Sequence, residues 1–301
     1  MTLTVICSLM GALLLNSIAL GSEIGEAERP EVTSLYHKSA GGDCAEPKDG
    51  ELEKAQELFA QTLRGETGSG LASAWSALGF NLIHARHDDS TFLVLMEKKN
   101  EKRGRGFYLF RDIPERKRYL IIPHRFTDEG TGKIGLSMFL EGKFPAAAWN
   151  TARRYPKGDP TNMTCDMARL PRTYFTAFTQ ALAETFPDAF QIQIHGFLPS
   201  KRRTQAGESA DIVISGGDDK PRQELMELRK CLESSHLGTV RVYPVDIQEL
   251  GATGNISGQL LRNLGRKTFI HFEISHELRE RLKANRNMRT IFMKCLDGTL
   301  Q

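Results

Sequence analysis

From about residue 118 to 296, short apolar runs alternate with segments of helical spacing, and no other feature of the chain restricts its fold as strongly. Tyr119–Ile122, Phe190–His195, Asp211–Ser215, Val240–Tyr243 and Thr268–Ile274 read as strands. Between and after them, Ile134–Leu140, Tyr174–Phe186, Gln223–Ser234, Gln259–Leu264 and Leu278–Leu296 carry apolar residues at the spacing of one helix face. Strands that alternate with helices predict an α/β fold with a mixed, mostly parallel sheet covered on both faces, a three-layer α/β/α arrangement. Pro145–Trp149, PAAAW, reads as a further helical stretch. No internal repeat is present.

The N-terminal third is organised differently. Val5–Leu20 is apolar apart from Cys7, Ser8, Asn16 and Ser17, and Ala19-Leu20-Gly21 precedes polar Ser22 and Glu23, so residues 1–21 read as a signal peptide. The expected location is periplasmic or secreted, with membrane contact only if this segment stays uncleaved. Residues 22–50 are polar with scattered Gly and Pro and read as a flexible arm. Residues 51–117 read as N-terminal helices (51–63 and 70–78) and a hairpin, Phe92–Met96 with Phe107–Phe110, packed on a main domain at 118–301. The basic turn of that hairpin, KKNEKRGRG, has no aromatic residues among its charges, so it reads as a solvated loop that discourages edge pairing. A net charge of +3 on 40 basic and 37 acidic side chains likewise predicts no nucleic-acid partner. The mature chain would keep Cys44, Cys165, Cys231 and Cys295, without any CxxC spacing, which favours one or two disulfides over zinc ligation.

In open α/β sheets, ligands bind beyond the carboxyl ends of the strands. Three strands here end in ligand-type residues: His124 after Leu120–Ile122 and Pro123, His195, and the pair His271 and Glu273. Strand alternation puts His271 and Glu273 on one side and Phe272 and Ile274 on the other. Burying such a carboxylate needs a cation or hydrogen-bond donors, so a functional reason is expected. Catalytic zinc takes three ligands from His, Asp or Glu and lowers the pKa of a water in its fourth position towards about 7. His124 and His195 supply two imidazoles, Asp128 or Glu129 in the loop supplies a carboxylate, and Glu273 is the base that moves the proton. Asn150, Arg153 and Arg154 lie between the two His segments and suit a substrate carboxylate. The loop LGATGNISG lacks both GxGxxG and GxxxxGK and reads as a substrate-side loop or plain turn, and no GxSxG elbow is present. His37, His84, His87, His236 and His276 read as surface residues.

The order of these residues resembles the zinc carboxypeptidase plan. HRFTDEGTG, IHGF and FEIS-x3-R are similar, more closely, to the poly-γ-glutamate hydrolases and, more loosely, to the N-formylglutamate amidohydrolases. The resemblance covers about residues 118–296 and implies a phosphorylase/hydrolase-like α/β/α fold, zinc on His124, Glu129 and His195, and Glu273 as general base. Arg125-Phe126-Thr127 stands where the poly-γ-glutamate hydrolases have a Gly-rich segment, and the HxxE spacing of carboxypeptidases is absent. The expectation is thus an exported zinc amidohydrolase or metallopeptidase acting on a carboxylate-bearing amide, such as a γ-glutamyl or cell-wall peptide. The alternatives are an inactive metal- or ligand-binding periplasmic protein and a structural envelope interaction protein.

Overall fold

A computed structural model of the chain describes residues 29–113, 117–155 and 165–301; the expected signal peptide, 1–21, lies outside them. Among the described residues, nine strands form one sheet: β1 (Phe80–His87), β2 (Ser90–Glu97), β3 (Phe107–Phe110), β4 (Arg118–Ile122), β5 (Ala146–Trp149), β6 (Phe190–Phe197), β7 (Ile212–Ser215), β8 (Val240–Val242) and β9 (Phe269–Ser275). Their spatial order is β1-β2-β3-β5-β4-β6-β9-β7-β8. The centre, β5-β4-β6-β9, is parallel, β7 and β8 are parallel to each other, and β1-β2-β3-β5 and β7-β9 are antiparallel. The α/β expectation with a mixed sheet therefore holds.

Among the described residues, ten α-helices cover the two faces: α1 (Val32–Lys38), α2 (Glu51–Leu63), α3 (Ser69–Ala77), α4 (Thr131–Glu141), α5 (Tyr174–Thr185), α6 (Gln205–Glu208), α7 (Gln223–Ser234), α8 (Ile256–Asn263), α9 (His276–Ala284) and α10 (Arg286–Thr299). Strand alternation divides the core. In β4, Leu120 and Ile122 pack with residues of α1, α4, α7, α9 and α10, while Tyr119 and Ile121 pack with α2, α3 and α5.

Several sequence expectations need correction. Ala146–Trp149 is a central strand, not a helix, because flanking β3 and β4 satisfy its backbone and all four side chains are buried. Residues 80–87, unassigned from sequence, form the edge strand β1. β2 pairs with β3 and β3 with β5, so this hairpin continues the same sheet.

The described part of the arm is held rather than loose. α1 buries Val32, Leu35 and Tyr36, and Cys44 is bonded to Cys165. The basic turn contributes to this: Lys102 Nζ donates to the carbonyls of Lys38 (2.6 Å) and Ala40 (2.7 Å), and Arg103 Nη2 to that of Glu46 (2.8 Å). Arg105 is buried against Glu97, whose carboxylate also accepts from the backbone of residues 103–105. A buried carboxylate with that many donors is satisfied. Cys231 and Cys295 form the second disulfide.

Candidate metal centre

The site lies where β4, β6 and β9 end. Pro123 follows β4 and turns the chain, so His124 enters a loop that α4 closes; Gly130, its N-cap, has φ +87, a left-handed conformation that glycine adopts without Cβ strain. β6 presents His195 and β9 presents His271 and Glu273, with His195 paired to Glu273 in the parallel register.

The loop carboxylate at the centre is Asp128. Its Oδ2 stands 3.4 Å from Nδ1 of His124 and 3.4 Å from Nδ1 of His195, and it accepts the backbone N–H of Gly196 at 3.2 Å. Glu129, which the resemblance implied as ligand, turns outward: its side chain is 75% exposed and lies 3.8 Å from His276. Gly196 also allows close packing behind His195, since an added Cβ would overlap the guanidinium of Arg279.

Each imidazole is held from its far side. Nε2 of His124 lies 2.8 Å from Oδ1 of Asp166, and Nε2 of His195 lies 3.2 Å from Oε1 of Gln193. Both Nδ1 atoms are thereby turned towards Asp128, as ligating histidines oriented by outer partners are. Two imidazole nitrogens and a carboxylate oxygen are the donor set that zinc takes, and three such ligands are the number in a catalytic site. His124, Asp128 and His195 fit such an ion, with candidate ligand atoms within 4.8 Å of one another. His195, His271 and Glu273 form an overlapping group of the same compactness.

Sequence reasoning missed Asp166 and marked His271 as ligand-type without placing it in the ligand set. Asp166 is a single carboxylate in a segment without periodic pattern, 42 residues from His124; its one cue was the neighbouring Cys165, which the disulfide fixes. Asp166 also accepts from Arg154 Nη2 at 2.6 Å and from the backbone N–H of Ala168 at 3.1 Å. His271 is buried, with its ring centroid 4.6 Å from that of His195 and Nε2 3.8 Å from Glu273 Oε1.

The charges follow from burial and partners. Burial disfavours the imidazolium of His124, but hydrogen bonds and charge from Asp128 and Asp166 outweigh it and raise the pKa to about 9. Burial would raise Asp128, yet hydrogen bonds to the two histidines hold it well below the usual carboxylate range. The same balance, won by His124 and Arg154, brings Asp166 down to about 2. Burial lowers His195, and burial, with repulsion from His195 when that ring is charged, holds His271 well below the usual imidazole range, so burial favours the neutral form of both rings. Glu273 is pushed up to about 8 by burial and then by the charge of Asp128.

The expected substrate residues separate. Asn150 is buried and holds the loop, accepting from Arg125 N at 2.8 Å and donating to Ala152 O at 2.6 Å. Arg153 is exposed, its guanidinium 5.8 Å from the Phe126 ring. Arg154 alone borders the cavity, of about 340 Å³, which the 250–255 part of LGATGNISG also lines, together with Arg169.

No family model matches the chain, and no curated protein is similar to it. Among solved structures it is similar to the N-formylglutamate amidohydrolase of Ralstonia eutropha JMP134, with 12% identity over 64% of this chain and 97% of that one and a TM-score of 0.36. It is also similar to a bacteriophage poly-γ-glutamate hydrolase, with 13% identity over 66% and 92% of the two chains and a TM-score of 0.39. A third is an aspartoacylase family protein of Mesorhizobium loti MAFF303099, with 15% identity over 74% and 68% of the chains and a TM-score of 0.36. The first two are the families that the sequence motifs resemble; at these identities and scores the likeness assigns no activity to this chain.

Proposed function

We propose that the protein is an exported zinc-dependent hydrolase that cleaves an amide bond in a carboxylate-bearing substrate of γ-glutamyl or cell-wall peptide type. The observation that carries this reading is Oδ2 of Asp128 standing 3.4 Å from two imidazole Nδ1 atoms, beside the buried carboxyl group of Glu273, whose pKa is pushed up to about 8. His124, Asp128 and His195 would hold the ion. Zinc bound there supplies Lewis acidity to the scissile carbonyl and to the attacking water.

Glu273 is the proton carrier. Its side chain keeps 15% of its surface open to the cavity, and a bound cation would bring its pKa down from about 8, so that the ionised carboxylate can take a proton from water and release it to the leaving nitrogen. Neutral His271 beside it adds no competing charge. Arg154, anchored on Asp166, and Arg169, 68% exposed and 3.8 Å from the same carboxylate, put two guanidinium groups at the cavity rim, the group that binds a carboxylate bidentately. Export is supported by the two disulfides, which persist in oxidising compartments, and by the apolar segment at 5–20. No helix among the described residues is long and apolar enough to cross a membrane.

The test is hydrolysis of a panel of γ-glutamyl and cell-wall peptides, each with its carboxylate free or converted to an amide, before and after chelation. The reading expects chelator-sensitive cleavage that weakens when the carboxylate is blocked. A zinc-loaded protein that cleaves nothing in the panel would favour the inactive, ligand-binding alternative.

A further inference from the structure

His124 and Asp128 share one turn, and the peptide unit between His124 and Arg125 lies at its centre. The carbonyl of His124 accepts the backbone N–H groups of Thr127 (3.2 Å) and Asp128 (3.0 Å), and the N–H of Arg125 donates to Oδ1 of Asn150 at 2.8 Å. Asn150 is buried just past β5, so this unit is fastened to the sheet. The Arg125 side chain is directed to α1. Its Cζ lies 4.1 Å from the centroid of the Tyr36 ring, Nη1 donates to Oγ of Ser39 at 3.0 Å and Nη2 to the carbonyl of Tyr36 at 3.2 Å. Tyr36 also touches the far end of the same loop, since a Cβ added at Gly132, in the first turn of α4, would lie 2.5 Å from its hydroxyl. α1 is a firm seat: Val32 and Tyr36 are buried in the core, and the N–H of Gly41, beyond its end, donates to the carbonyl of Thr151 at 2.9 Å.

We propose that Arg125, seated on Tyr36 of α1, is a positioning residue that sets the His124–Asp128 turn before an ion arrives. This rests on the reading of His124 and Asp128 as metal ligands. A turn whose central peptide unit is held through both its backbone and the neighbouring side chain presents the two ligands already in place, so ion binding need not supply the ordering of the loop. The flat, forked guanidinium suits the seat, because it stacks on a ring while its two ends bond separate acceptors. Charge alone would act in the opposite sense. A fixed cation in the ligand loop repels an incoming cation, so neutralising Arg125 would tighten zinc binding if repulsion were its only effect. A weaker site after neutralisation is therefore the signature of positioning.

The test is the zinc dissociation constant of the full-length protein, read by competition with a chromophoric chelator, together with amide hydrogen exchange of residues 124–131 in the metal-free protein. In Arg125→Met the affinity is expected to fall by at least about tenfold, as for residues that support a ligand without touching the ion, and exchange in 124–131 to quicken. Tyr36→Phe keeps the ring and the carbonyl and is expected to bind zinc as wild type does. Replacing Cys231 and Cys295, which join α7 to α10, with Ser lowers stability without touching the loop and is expected to leave both readings unchanged. That variant separates positioning from general destabilisation.

Should Arg125→Met not fold, Tyr36→Leu takes the ring from under the guanidinium and is expected to give the same losses. Zinc affinity at or above the wild-type value in whichever of Arg125→Met and Tyr36→Leu folds, or an equal loss in Tyr36→Phe or in the disulfide variant, would overturn the proposal. Retention of zinc by His124→Ala would instead defeat the ligand reading on which the proposal rests, a result separate from the Arg125 measurement.

Discussion

Arg279 donates its Nε–H to the backbone oxygen of Glu129 at 2.6 Å, tying the start of α9 to the loop that carries Asp128. The same buried guanidinium bonds the carbonyls of Phe197, at 3.0 Å, and Ile274. One side chain thus joins the His124 loop, the end of β6 behind His195 and the end of β9 behind Glu273. Arg279→Met would keep much of the volume and leave these carbonyls without their donor. Because hydrogen bonds to charged groups are worth about 1.5–3 kcal/mol each, a loss of about 3 kcal/mol is expected in urea denaturation. An unchanged midpoint would mean that the three segments hold their places without this residue.

The proton on His124 should be visible in metal uptake. A ligating imidazole must be neutral, and His124 in the metal-free protein titrates at about 9. Binding at pH 7 should release at least one proton, that of His124, with a further contribution from Glu273 as the cation lowers its pKa, and the apparent affinity should rise at least about tenfold per pH unit between pH 6 and 8. Calorimetry in buffers of different ionisation enthalpy reads the proton; a pH-independent affinity would place the proton elsewhere.

The same groups set the stability of the metal-free protein. The folded pKa of His124 lies above the unfolded value of about 6.5, so its contribution is complete below that pH and is lost as pH rises through about 9. Asp128 and Asp166 are depressed, so theirs is present above about pH 4 and is lost as pH falls through the lowered values. The melting temperature with chelator present should therefore be lower at pH 10 than at pH 6. Added zinc should reduce the alkaline loss, since the ion replaces the proton.

Much of this was legible in the sequence, and the exceptions have physical causes. Gln223–Ser234 has the 3.6-residue pattern of a helix with one wet face, and structure and expectation coincide there. Ala146–Trp149 misled because alanine favours helices, while burial between two strands decides the outcome. His124 and His195 stood out because polar residues at the ends of apolar strands are unusual. Neither apolar pattern nor strand position marks a lone aspartate such as Asp166, and sequence could not choose between Asp128 and Glu129 because that choice depends on which way the loop turns before Gly130.

The two disulfides should not be equivalent. Cys44–Cys165 spans 121 residues and Cys231–Cys295 spans 64, so loop length alone favours the first by about 0.6 kcal/mol, the effect of one doubling. Cys165 also precedes Asp166. Replacing both members of the first pair with Ser should lower zinc affinity as well as stability, whereas replacing the second pair should lower stability alone. Equal zinc affinities in the two variants would separate Asp166 from the disulfide.

Glu273→Gln should keep the metal and lose turnover by at least about a hundredfold, the usual contribution of a general base. In the wild type, activity should fall as pH drops through the pKa of Glu273, because the proton acceptor is the ionised form. That pKa should lie below about 8 once a cation is bound, since nearby positive charge favours the carboxylate. Full activity in Glu273→Gln would remove the residue from the mechanism.

The central claim is that His124, Asp128 and His195 hold one ion while adjacent Glu129 does not. Zinc content of the purified protein, measured by mass spectrometry of the metal, addresses it directly. The account predicts about one zinc per chain in wild type and in Glu129→Gln, as a three-ligand site requires, and loss of that zinc in Asp128→Asn. Zinc retained by Asp128→Asn and lost from Glu129→Gln would contradict it.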